Sequence, residues 1–164
     1  MALSPFMLDL DVIPFFFRFR DQIFGHGFVA LVETTGRAMC EKEEGGEFTI
    51  AGVEPGGLAA SGETRESALQ DFRQTFRMVL MDIATEAPTF EAFHAEVRRF
   101  VHETSPATLT DWAAAVERAR IVADQTPGVA RVRPDMPVSV AVSCSTDLVP
   151  QQNVIDDPAQ LIAA

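Results

Sequence analysis

The side chains best placed for chemistry in this chain are its carboxylates, and their spacing decides what they can do. Asp9 and Asp11 stand two residues apart. On an extended strand both would share one face, as half of a metal site or as the solvent-facing side of an edge. A denser group, Glu41, Glu43, Glu44 and Glu47, lies in the run CEKEEGGEF, with Glu54 and Glu63 on either side of the Gly-rich stretch that follows. A metal-dependent nuclease needs several carboxylates converging on metal ions. Glu43, Glu44, Glu47, Glu54, Glu63, Glu66, Asp71 and Asp82 show no spacing that assigns them to such a centre. His94, Arg98 and His102 follow at i, i+4 and i+8. On a helix the two histidines stand about 12 Å apart at ~1.5 Å per residue, too far to share an ion, so they read as a polar face. His26 sits between two glycines as a loop residue. The two cysteines, Cys40 and Cys144, are too few for a disulfide framework. Their neighbours Ala-Met and Val-Ser place both on strands as buried free thiols, and there is no CxxC and no Cys/His cluster for zinc. GxSxG, P-loop and GxGxxG motifs are absent; the Gly-rich run 52–57 lacks the Lys and Ser/Thr of a phosphate loop. No catalytic residue, metal ligand or cofactor site is assigned, and a non-enzymatic role is expected.

The chain has 164 residues, suited to one domain, 1–164, and its thirteen Phe are ample for a core. It carries 24 acids against 13 cations, of which only Lys42 is lysine, for a net charge of −11. That balance opposes non-specific nucleic-acid binding, which depends on Lys and Arg neutralising phosphates. It favours a basic partner or simple solubility. Asp9 and Asp11 interrupt the first apolar run with no basic segment before it, and no apolar run has the length to span a membrane. The expectation is a cytoplasmic protein with no membrane role.

The elements that must position these residues follow from periodicity. In 14–20, PFFFRFR, the residues Phe15, Phe17 and Phe19 fall on one face and Arg18 and Arg20 on the other, which predicts a strand. Gly25-His26-Gly27 predicts a turn and 28–33 a further strand. Thr34 to Gly36 predicts another turn, and 37–43 a strand pairing with 47–53 across Gly45-Gly46. Pro55-Gly56-Gly57 ends that strand, 58–61 is a short one, and Gly62 is a second break expected to need φ > 0. Thr64 is the expected N-cap of a long helix whose stripe is 68, 69, 72, 76, 79, 80 and 83, opposite Glu66, Gln70, Arg73, Gln74 and Arg77.

The block 37–83 resembles the HicB-like antitoxin domain, a partial RNase H-like fold. Gly57, Gly62, Glu63, Thr64, Ala68 and Leu69 match its strand, Gly turn and helix-opening signature. Glu63 stands for the usual Asp, Gly56 stands where a Pro often sits, and Ser67 replaces the Glu that would complete a capping box, which weakens the reciprocal bond. The resemblance implies an α+β fold, an antiparallel sheet packed on a long amphipathic helix. It also implies a non-enzymatic antitoxin, or a protein derived from one, that binds a small basic toxin-like protein. Glu41, Glu43, Glu44, Glu47, Glu54 and Glu63 would form the contact surface, with Gly57, Gly62 and Thr64 as structural turn and cap. The alternatives are a structural or regulatory module without a toxin partner and the metal-dependent nuclease.

Outside the block, the two N-terminal strands either extend the sheet or form an arm for dimer contacts. Stripes at 90, 93, 97, 100, 101 and at 109, 112, 113, 116 predict two helices within 89–124, the second opening on a box at Thr108 to Asp111 and both packing as an antiparallel αα-hairpin. The cations Arg98, Arg99, Arg118 and Arg120 are offset there by five acids, against DNA reading. Strands are expected at 129–133 and 137–144, the latter with Val138, Val140 and Val142 on one face, returning to the sheet within 137–145. A tail covers 147–164. Open strand edges or Phe-rich contacts at 14–20 or 137–144 predict a homodimer or higher homo-oligomer.

Overall fold

The computed structural model describes residues 11–128 and 136–144. Asp9, the strand expected at 129–133 and the tail 147–164 lie outside the described residues. The fold is α+β. Strands β1 (Val12–Phe24), β2 (Val29–Lys42), β3 (Phe48–Glu54) and β4 (Ala59–Gly62) precede helices α1 (Arg65–Glu86), α2 (Phe90–Val101) and α3 (Pro106–Gln125), and β5 (Ser139–Cys144) returns to the sheet.

Every pairing is antiparallel, in the order β1-β2-β3-β4, with β5 also on β2. The long β2 is the spine. β1 pairs with it from end to end, from Val12 opposite Glu41 to Phe24 opposite Val29. Its other partners divide it: β3 pairs with Arg37–Lys42 and β5 with Ala30–Thr35. The expected turn at Thr34–Gly36 does not occur. The strand continues through this stretch, with a register shift between Arg37 and Ala38 in its pairing with β3, and Gly36 lies opposite Phe17 and supplies the space its ring needs. Gly is read as punctuation in sequence, but inside a strand it also marks a close approach. The N-terminal strands therefore extend the sheet.

Side-chain alternation gives the sheet two apolar faces. The inner face presents Phe17, Phe19, Ala30, Val32, Ala38, Cys40 and Ile50 to a core completed by α1 and α2. α1 buries Ala68, Phe72, Phe76, Leu80 and Ala84 at intervals of four. Phe17 meets Phe72 edge-on at 5.1 Å, and Phe76 lies at a tilt between Phe19 at 4.6 Å and Phe100 at 5.8 Å. Each fully buried Phe removes enough apolar surface to contribute about 1.5–3 kcal/mol. Val140 and Val142 of β5 and the preceding Val138 pack on this core, as their alternation predicts.

The outer face carries Phe16, Met39 and Val53, and α3 covers it with Trp112, Val116 and Leu109. This corrects the expected hairpin. The stripes of α2 and α3 enter different cores on opposite faces of the sheet, because the outer face also has apolar area to bury. The α3 stripe includes Ala115 rather than the expected Ala113, which is exposed. The helix also begins before the expected box: Ser105 is its N-cap and Pro106 occupies the first turn, where a missing N–H costs nothing. The chain changes faces beside the end of β3, where the Gly56 N–H donates to the Glu103 carbonyl oxygen at 2.8 Å.

Candidate functional site

The expected acidic surface is split by the fold. Glu41, Glu43, Glu44 and Glu47 are all exposed around the β2–β3 turn, which Gly46 closes at φ 90°. Gly62 lies opposite Phe48 in the β3–β4 ladder, so Glu63 follows at the same end of the sheet, next to Glu47. Five of the six acids thus share one end. Lys42 and Arg65 lie there too, with the Arg65 guanidinium 5.2 Å from the Phe48 ring centre. Glu54 is not in the group. It ends β3, six steps beyond Phe48 and about 20 Å away at ~3.3 Å per residue, and among the described residues it is the only one of the six whose side chain has a hydrogen-bonded partner: its Oε1 lies 3.1 Å from His102 Nδ1. That partner is the C-cap residue of α2.

Thr64 caps α1 as expected, its Oγ1 accepting from the Ser67 N–H at 3.0 Å. Ser67 does not weaken the box. The Thr64 N–H donates to Ser67 Oγ at 3.1 Å, so a serine at this place closes the reciprocal pair that a glutamate would otherwise make. Gly62 does not need positive φ; the described glycines with positive φ are Gly27, Gly46 and Gly128. A Cβ at Gly62 would instead run into Ser67 Oγ and stand 2.6 Å from the Ala68 amide nitrogen, so the close approach of β4 to the helix start requires glycine. At Gly57 a Cβ would meet nothing, and no such requirement exists.

The other sequence candidates stay apart. His26 is 3.1 Å from the Thr85 carbonyl oxygen, and His94 stacks on Phe90. Cys40 is buried and Cys144 half-buried, both as thiols. Burial pushes the Cys40 thiol above its usual range, and nearby Arg65 opposes that shift. Among the described residues no three His, Cys, Asp or Glu side chains come together as a metal-ligand set. Near the crossing, Arg37 places its guanidinium 6.0 Å from the Trp112 ring centre.

Sequence reasoning missed a cationic groove. The edge of β1 runs beside α1, and Arg18, Arg20 and Asp21 of the strand face Gln70, Arg73, Gln74 and Arg77 of the helix across a groove of about 360 Å³. Arg77 pairs with Asp21 at 2.8 Å, and Arg20 with Glu33 at 3.2 Å. The signal was present, since Arg18 and Arg20 alternate with core Phe and Arg73 and Arg77 share the polar side of α1. What sequence could not show is that the two rows meet.

No protein-family model, no curated protein and no solved structure matches this chain. No helix among the described residues is long and apolar enough to cross a membrane.

Proposed function

We propose that this chain is a non-enzymatic interaction protein of HicB-like antitoxin type, which receives a small basic protein on the acidic end of its sheet. The observation that carries this is the register: β2, β3 and β4 bring Glu41, Glu43, Glu44, Glu47 and Glu63 to one edge of the molecule. A cationic toxin-like protein approaching that end would be steered by complementary charge, which speeds encounter and disfavours wrong partners. The strand, Gly turn and helix order over 37–83 supports the resemblance drawn from sequence.

Self-association belongs to the same reading. Among the described residues β1 and β5 each pair with β2 alone, and an open edge is a template for another chain. β5 is the better self-pairing edge, because its outward positions 139, 141 and 143 are Ser, Ala and Ser, while β1 carries Arg18 and Arg20.

The experiment is co-purification at low salt of the tagged protein from its host. Recovery of a stoichiometric small basic protein, lost in a Glu41/Glu43/Glu44/Glu47→Gln variant that melts like the parent, is the expected result. Recovery of no such protein, or its retention by the variant, rejects the reading.

A further inference from the structure

We infer that the groove between β1 and α1 is a docking site for an extended acidic peptide segment of a partner protein, bound as an added strand on β1. This surface is independent of the acidic end. Arg18 lies six residues along β1 from Val12, which pairs with Glu41, a separation of about 20 Å at ~3.3 Å per residue.

Three observations meet here. The first is the edge itself: β1 is 13 residues long and among the described residues is paired on one side only, so alternate residues direct their N–H and C=O groups away from β2. The second is shape. The groove beside Arg18–Asp21 continues into a second depression, also about 360 Å³, lined by Phe15–Arg18, Leu69, Arg73 and Met136. Arg18 and Arg73 line both. A chain lying along β1 beside the helix would therefore have a charged half and an apolar half. The third is charge. Among the described residues four arginines line the charged half against Asp21 alone, in a protein whose net charge is −11. Arg20 and Arg77 already have carboxylate partners, whereas Arg18 and Arg73 have none within 4 Å among the described residues.

These features select the occupant. An added strand takes its affinity from main-chain hydrogen bonds and its specificity from pockets for alternate side chains. Its acidic residues would meet Arg18 on one face and Arg73 on the other, and an apolar residue about three positions along would reach Phe15, Leu69 and Met136. A nucleic acid cannot continue the amide ladder, and the surrounding negative charge repels its phosphates. A second β1 would set arginines against arginines.

The test selects binders from a random twelve-residue peptide library on the intact protein, then measures the enriched peptides by fluorescence anisotropy. Enriched sequences should pair adjacent Asp/Glu with an apolar residue. Their affinity should fall about tenfold or more in an Arg18→Gln/Arg73→Gln variant, because the peptide carboxylates then have no cation to meet. It should fall as far when alternate peptide nitrogens are methylated, which abolishes strand pairing but keeps every charge. The Glu41/Glu43/Glu44/Glu47→Gln variant should bind them like the parent. Failure to enrich acidic sequences, indifference to the arginines or to N-methylation, tighter binding of a single-stranded oligouridylate, or a dimer that the Arg18/Arg73 variant dissociates would each overturn the proposal.

Discussion

Gly36 lies directly across the β1–β2 ladder from Phe17, and the ring of Phe17 occupies the space where a side chain at 36 would begin. A Cβ there would also stand 2.6 Å from the Glu54 carbonyl oxygen. The inner core is thus built around a missing side chain on its longest strand.

Gly36→Ala should destabilise the fold by about 1–3 kcal/mol through overpacking. Gly45→Ala, where a Cβ would meet nothing within 4 Å, should change stability little. Denaturant unfolding of both variants checks this. Equal midpoints would mean that Gly36 does not accommodate the Phe17 ring.

The start of α1 offers a finer test. Thr64→Ala removes an acceptor from the Ser67 amide and should cost about 1 kcal/mol. Ser67→Ala removes the return bond and should cost less, leaving the Thr64 hydroxyl still capping. Gly62→Ala should cost more than Ser67→Ala, since its Cβ meets backbone at Ala68. Thermal melts that rank Ser67→Ala as the most harmful would contradict this capping arrangement.

Trp112→Ala should destabilise by about 3–5 kcal/mol, the range for emptying a buried aromatic site. The loss is expected on the outer face, where Trp112 meets Phe16 edge-on at 5.6 Å. A double-mutant cycle should therefore give coupling between Trp112 and Phe16 and none between Trp112 and Phe100, which belongs to the inner core. The reverse result would restore the packing of α2 on α3.

Light scattering at micromolar concentration should give a dimer or larger species, and Ala141→Arg on the outward side of β5 should reduce it to a monomer. A monomer mass for the parent protein would reject self-association through these edges.

Local features were legible in the sequence because their causes are local. The Phe alternation in β1, the Gly45-Gly46 turn, the Thr64 cap and the stripe from Ala68 to Leu80 each depend on neighbours within a few residues, and each occurs in the structure. So does the return of β5, whose alternating valines require one buried face. Tertiary structure alone decided the rest. Gly36 reads as a turn until Phe17 is seen opposite it. The Trp112 stripe specifies a buried helix face but not which side of the sheet receives it; Phe16, Met39 and Val53 settle that from three different segments. Glu63 joins Glu47, and Glu54 leaves them for His102, only through strand register. Arg18 and Arg73 are more than fifty positions apart in sequence and line one groove because a helix crosses beside an open strand edge. Periodicity records which side of an element is buried; what that side meets depends on contacts between segments that are distant in sequence.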